Sequence, residues 1–223
     1  MCHIIDNVAP GVTFRIYRVA DRLECVSEWD VLAALAANDD AKIVNLSLEF
    51  GNPTSAMSPC HRTSLHSRSE IFENCLDGRP IELRPIPVAA SGNGGGSRLS
   101  YPARYSNVVA VAAVDSKGHL SSFSNHGAFD QLDEPHKWFF LAPGGEQRSF
   151  WGGRKNETVG RFETRPRGYW GTSFAAAYVT GVLAHIMAAQ PKATREDILN
   201  LLKKKAQKVP DEERHGNGLV RVP

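Results

Sequence analysis

No run of about 18 apolar residues, the length a helix needs to cross a bilayer, is evident in the sequence, so no membrane span is expected. Residues 1–14 lack the basic start and unbroken apolar core of a signal peptide. The cytoplasm is therefore the default location, and nothing else in the sequence bears on it. An excess of charge of one sign is also absent: 26 Lys and Arg face 24 Asp and Glu, a net charge of +2. That balance gives no nucleic-acid footprint. The one compact basic run, Lys203-Lys204-Lys205, falls in a predicted helix whose Ile198, Leu201, Leu202, Ala206 and Val209 mark the buried stripe. The lysines read as its solvated face. Cysteine is sparse, with four residues (Cys2, Cys25, Cys60, Cys75) and no Cys-x-x-Cys pair, so free thiols are expected. Cys60-His61, His66 and Cys75 fit no zinc spacing, and no metal site is expected from them. No internal repeat is visible.

The 223 residues, 42% hydrophobic and 22% charged, suit one domain with a sizeable core. Val12–Ala20, with Val12, Phe14, Ile16 and Val19 among β-branched and aromatic neighbours, reads as a strand. Ser27 is the expected N-cap of a helix to about Asn38, with Asp30 at the capping-box position. Lys42–Leu48 reads as a strand buried on both faces, 51–62 as a loop, and Ser64–Leu76 as a helix ended near Asp77-Gly78. Ile86–Ala90 and Val108–Val114 read as buried strands, and Phe139–Leu141 as a short one. Residues 128–168 are the least regular. Helices over 172–190 and 194–208 close the chain, with Thr194 as N-cap. Strands alternating with helices imply a parallel α/β sheet.

Chemistry concentrates at Gly171-Thr172-Ser173, which opens the apolar helix. A helix start offers unpaired N–H groups and the positive end of the dipole. A serine there suits acyl transfer, because the oxyanion of a tetrahedral intermediate can use its N–H. The plainer alternative is a serine that merely caps a buried helix. Gly92-Asn93-Gly94-Gly95-Gly96 follows a strand and invites comparison with a phosphate loop. A dinucleotide loop should open a helix, whereas Ser-Arg-Leu-Ser-Tyr-Pro follows here. The better reading has Asn93 presenting an amide at a parallel-strand end, where it can donate to an oxyanion; otherwise Asn93 is a turn residue.

Several segments, in order, resemble the subtilisin-like serine peptidases: Ile43–Leu48 (IVNLSL), Val88–Asn93 (VAASGN), Tyr101-Pro102-Ala103 through Val108–Val114, Ser122–Gly127 (SFSNHG), Leu141–Gly144 (LAPG) and Gly171-Thr172-Ser173. Val8-Ala9-Pro10 and Gly216–Val220 are smaller echoes. The resemblance spans nearly the whole chain. It implies a parallel-sheet subtilisin-like fold flanked by helices, one partial peptidase domain over 1–223, and a serine endopeptidase acting on polypeptides. It also implies Ser173 as nucleophile, with the Asn93 side chain and the Ser173 N–H as oxyanion hole. Ser47 and Leu48, and Ala90, Ser91 and Gly92, would line the cleft. Alanine stands at 177 where the family usually has proline, and Tyr178 where histidine is common. Calcium is common in that family, but no acidic loop here singles out ligands, so no cofactor is assigned. Oligomeric state is not legible.

The family's Asp-Ser/Thr-Gly and His-Gly-Thr motifs do not occur in this sequence, and none of its eight histidines stands in the base's context. The resemblance thus implies a fold lacking the amino-terminal strands that carry the triad Asp and His, from a gene model or gene begun late. This chain by itself is then expected to be a very poor peptidase. The competing reading is a pseudopeptidase that binds extended peptide without cleaving it.

Overall fold

The computed structural model describes residues 1–21, 26–37, 40–50, 69–77, 84–127, 129–130, 132–145, 158–159, 162–163, 170–209 and 216–221. Its centre is a parallel sheet of four strands, β1 (Ile43–Leu46), β2 (Ile86–Ala90), β3 (Val109–Val114) and β4 (Phe139–Pro143), whose spatial order follows chain order. In β3 all six residues are buried. Val109, Val111 and Ala113 join one apolar core, while Ala110, Ala112 and Val114 join the other. Successive side chains point to opposite faces, so a strand covered on both faces must be apolar throughout. That is why VAVAAV shows no alternation.

Five helices are described: α1 (Cys2–Val8), α2 (Glu28–Ala36), α3 (Glu70–Asp77), α4 (Thr172–Ala189) and α5 (Arg195–Lys205). The first core unites α1, α4 and α5 with one face of the sheet. The second sets Val31, Leu32 and Leu35 of α2 and Phe72 of α3 against the other. Phe72 also stacks on Tyr105 (ring centroids 5.6 Å apart). Burial pushes the Tyr105 phenol up to about 12, against the lowering hydrogen bond with Ser69. A separate two-residue antiparallel pair joins β5 (Thr158–Val159) to β6 (Phe162–Glu163).

The central helix is α4, which packs on all four main strands, on α1 and on α5. Its close approach depends on small residues: Ala175, Ala176 and Ala177 are fully buried. Gly181 lies so near α1 that a Cβ there would sit 2.7 Å from Val8 Cβ. With 18 residues and a mean hydropathy of 1.4, α4 meets the length and composition of a membrane span, contrary to the sequence expectation. It is 61% buried inside the fold, as a core helix must be. Thr194 caps α5 as expected, and the reciprocal bond from its own N–H to the Asp197 carboxylate completes a capping box. Lys203, Lys204 and Lys205 are exposed in the last turn.

Three expectations need correction. Val12–Ala20 is no strand: apart from an isolated bridge at Ala20 it pairs with nothing among the described residues, and Ile16 is 78% exposed. Its β-branched and aromatic residues supply strand propensity, but propensity without a partner leaves the backbone unladdered. Arg15 instead grips Asp40 through both guanidinium nitrogens (2.6 and 2.8 Å). Second, β1 is only half-buried except at Leu46, because β2 alone pairs with it among the described residues. Third, Ser27 caps α2 by backbone position without a side-chain hydrogen bond, so no capping box forms there. The expected loop at 51–62, the first part of the Ser64–Leu76 helix, and Cys25, Cys60, His61 and His66 lie outside the described residues. Cys2 is a free thiol.

Candidate active site

Gly171 ends the approach to α4 with φ +144, a backbone angle that suits glycine. Thr172 and Ser173 then form the first turn. The Thr172 N–H donates to Asn93 Oδ1 at 2.9 Å, and the Thr172 hydroxyl donates to the same oxygen at 3.0 Å. A backbone N–H can only donate, so the Asn93 atom facing it must be the carbonyl oxygen. The Nδ2 amide is thereby turned outward, with no hydrogen-bond partner among the described residues, on an exposed residue. Asn93 and the start of α4 are therefore adjacent, as the sequence reading required.

Ser173 is half-buried and joined to Ser47, the residue after β1, by two hydrogen bonds of opposite sense. The Ser47 hydroxyl donates to the Ser173 carbonyl (2.8 Å), and the Ser173 hydroxyl donates to the Ser47 carbonyl (3.3 Å). Behind Ser47, Asn45 Nδ2 donates to the Ser47 hydroxyl (2.8 Å), and the Thr180 hydroxyl donates to Asn45 Oδ1 (3.1 Å). A polar chain thus runs from the middle of α4 through β1 and back to the first turn of α4.

The remaining expected residues supply walls rather than free polar groups. Ala90 is buried in the first core, and Leu48 packs partly buried against the second. The N–H of Ser91 donates to the Val111 carbonyl, its carbonyl accepts from Ser100, and its hydroxyl donates to the Asn125 carbonyl. The Gly92 N–H donates to the Thr172 hydroxyl (3.3 Å), and its carbonyl accepts from Asn125. The glycine run is likewise occupied: Asn125 Oδ1 accepts from the N–H groups of both Gly94 and Gly96 at 3.0 Å. An amide oxygen of this same chain sits where a phosphate loop would hold an anion, and no helix follows. That displaces the dinucleotide alternative.

Thr172, Asn45 and Asn125 were passed over in the sequence. Thr172 stood inside the Gly-Thr-Ser motif and was legible as a polar residue at a helix start. Asn45, an amide inside an apolar strand, was a signal of the same kind, since a polar group in a strand needs a partner. Asn125 lay in an irregular loop and gave none.

No described histidine ring is hydrogen-bonded to Ser173. His136 is buried, its Nε2 3.0 Å from the Ala103 carbonyl. Burial lowers its pKa, against the raising effect of that hydrogen bond. His3 bonds with Asn7 and His119 pairs with Asp115, while His185 is exposed on α4. Among the described residues no group of three His, Cys, Asp or Glu is placed to hold a metal.

The described residues thus form a parallel α/β protein that sets a serine at a helix start beside an outward amide donor, an arrangement suited to acyl transfer. The chain belongs to the subtilase family, whose model matches residues 2–219. It is 31% identical over 216 residues to the thermostable alkaline protease of Halalkalibacterium halodurans, covering 96% of this chain and 50% of that protein. It is equally similar to Subtilisin BL of Lederbergia lenta, 31% over 216 residues, with 96% and 68% covered. The chain thus spans about half the length of the first relative. Among solved structures, a prenylagaramide maturation protease shares 26% identity at a TM-score of 0.63, with 91% of this chain and 68% of that one covered. A lanthipeptide protease shares the fold at a TM-score of 0.72 and 19% identity, over 99% of this chain and 72% of that one.

Proposed function

We propose that this chain carries the nucleophile and oxyanion hole of a serine endopeptidase. The Ser173 oxygen bonds to the carbon of a peptide carbonyl and gives up its proton; the C–N bond of the tetrahedral intermediate then breaks, the amine leaves carrying a proton, and water hydrolyses the acyl ester left on Ser173 to free the acid and the serine. The carbonyl oxygen, negative in the tetrahedral intermediate, lies between the Asn93 amide and the Ser173 N–H. Ser47, Leu48 and the 90–92 segment wall the cleft that receives polypeptide. The observation that carries this reading is the pair of hydrogen bonds from Thr172 to Asn93 Oδ1, which leaves the Asn93 amide free beside the nucleophile's helix. Family membership supports it. The test is a fluorophosphonate probe at long exposure: wild type is labelled at Ser173, slowly for want of a neighbouring base, and Ser173→Ala is not. Labelling that survives in Ser173→Ala would overturn the assignment.

The described histidines leave Ser173 without a base, and the sequence holds neither triad motif upstream of it. Loss of serine or histidine alone costs a subtilisin roughly 10⁶-fold in kcat. We therefore propose that this polypeptide by itself turns over peptides very slowly. The hydrogen bond from Ser173 to the Ser47 carbonyl rather than to a ring nitrogen favours the second reading, a module that holds extended peptide without cutting it. Measurable peptide hydrolysis by the purified chain, abolished by Ser173→Ala, would rule that reading out.

A further inference from the structure

A cavity of about 260 Å³ lies beyond the glycine run, lined by Ser97, Arg98, Arg104, Gly127, Phe129 and Asp133. The loop that leads to it from Asn93 is pinned. Gly94 and Gly96 donate to Asn125 Oδ1, and the Gly95 N–H donates to the Phe123 carbonyl (2.7 Å). Gly127, at φ +115, comes so close to the Ser97 carbonyl that a Cβ would collide with it. Arg104 is fixed in the wall. Its Nε donates to the Asp130 carbonyl (3.1 Å) and its Nη2 to Asp133 Oδ1 (2.8 Å), and its guanidinium carbon stands 5.9 Å from the Tyr101 ring centre. That side chain is 14% exposed and Asp133 is 73% exposed, so the cation is built in while the carboxylate that answers it lies in water. Asp133 is delivered by a tight turn. Asp130 Oδ1 accepts from the N–H groups of Leu132 and Glu134 (2.8 and 3.1 Å), and Asp133 takes φ +57, a left-handed angle that aspartate tolerates. Arg104 Nη1 and the whole guanidinium of exposed Arg98 have no hydrogen-bond or ionic partner among the described residues.

We infer that this cavity is an accessory site for an acidic residue of a bound polypeptide, whose carboxylate is held by Arg98 and Arg104 outside the Ser173 cleft. The inference rests on the polypeptide ligand common to both readings above and not on turnover. Two guanidiniums against one carboxylate leave the cavity one positive charge in excess. A guanidinium presents a planar fork of donors matched to a carboxylate, and Asp133 on Arg104 shows that this wall accepts one. A cation part-shielded from water attracts an anion more strongly than the same charge in bulk solvent. Because Asp133 is mostly hydrated, loosening its ion pair costs little. An incoming carboxylate then has Arg104 and the free Arg98 to bind. Phe129, 48% exposed, offers an apolar neighbour of that acid a ring to cover. A lysine in the same place meets two like charges and a carboxylate already shared.

The experiment uses the full chain and fluorescein-labelled pentapeptide amides of sequence Ala-Leu-X-Leu-Ala, with X glutamate, glutamine or lysine, read by fluorescence anisotropy at low salt. The glutamate peptide should bind about fivefold tighter than the isosteric glutamine peptide, with lysine weakest. Arg98→Gln, which changes an exposed side chain, should erase most of that advantage. Asp133→Asn, which removes the chain's own competing carboxylate, should widen it. Equal affinity of wild type for glutamate and glutamine overturns the inference without reliance on any variant. So does an advantage that persists undiminished in Arg98→Gln, or one that shrinks in Asp133→Asn. The failure of this inference and that of the reading beneath it are told apart by the pattern. Equal binding of all three peptides removes the role of the cavity and leaves polypeptide binding, whereas binding of none removes both. A glutamate preference that depends on Arg98, in a protein that resists the fluorophosphonate probe, upholds the cavity and removes the nucleophile.

Discussion

Asn93 gives its carbonyl oxygen to Thr172, which turns its amide outward, as the oxyanion role proposed above requires. Asn93→Ala should therefore lower the rate of fluorophosphonate labelling at Ser173 by about 10²–10³, the loss found when a subtilisin is deprived of one oxyanion donor. A rate unchanged in Asn93→Ala would show that the amide does not meet the developing charge. Thr172→Val keeps the N–H bond but removes the hydroxyl that bonds both Asn93 and Gly92. It should slow labelling less than Asn93→Ala does, because the Thr172 N–H still holds the amide's orientation. Ser173 and Asn93 were legible in the sequence because each sits at an abrupt boundary, one where a glycine turn enters a helix and one where a strand runs into glycines. What their partners do was not legible. Which atom of Asn93 faces inward depends on a donor 79 residues away in the chain, and no local pattern encodes that.

At the scale of elements, the molecule is set by how closely α4 can approach its neighbours. Gly181→Ala gains helix propensity of about 1 kcal/mol, yet places a methyl 2.7 Å from Val8 Cβ and 3.2 Å from the Ile5 carbonyl. Those atoms belong to the backbone and branch points of α1, which cannot swing aside, and overpacking of that kind costs about 1–3 kcal/mol. The balance is a lower Tm, read by thermal melting; a raised Tm would mean that α1 is loosely docked. On α5 the Thr194 hydroxyl, with its own N–H, holds the Asp197 carboxyl below the ordinary aspartate value. The carboxylate form is the one that completes the cap. Its contribution is present above the unfolded-state pKa and fades as pH falls through the lowered folded value. Thr194→Ala should lower Tm by about 2–4 °C at neutral pH, with a smaller difference in strong acid. The two late helices and β2 and β3 were readable because caps, proline and unbroken apolar runs mark them locally. Val12–Ala20 was misread for the opposite reason: β-branched and aromatic residues report propensity, while a strand exists only where another strand receives it.

At the scale of the whole molecule, the buried His136 should couple stability to acid. Burial lowers its pKa, so the folded state favours the neutral ring while the unfolded chain takes up a proton at about 6.5. The unfolded state then binds more protons, and stability falls as pH drops from about 6.5 toward the lowered folded value. His136→Gln should flatten the Tm-against-pH curve over that range; a curve as steep as that of the wild type would place the acid sensitivity elsewhere. A second property of the whole is the open side of the sheet. The outer edge of β1 has no strand partner among the described residues, and Phe14, Ile16 and Tyr17 are exposed. Free strand edges and bare apolar side chains recruit other chains, so the purified polypeptide should associate, and Ile16→Lys should shift it toward monomer in sedimentation velocity. A wild type that is monomeric and melts sharply would contradict this. The central sheet was foreseeable from its runs of valine and alanine, but which of its edges stays open was not, because that depends on how strands order in space. The paired serines connect this edge to the chemistry. Ser47, the residue after β1, bonds Ser173 in both directions, so a strand that paired with that border and shifted Ser47 would be expected to reposition the Ser173 hydroxyl as well.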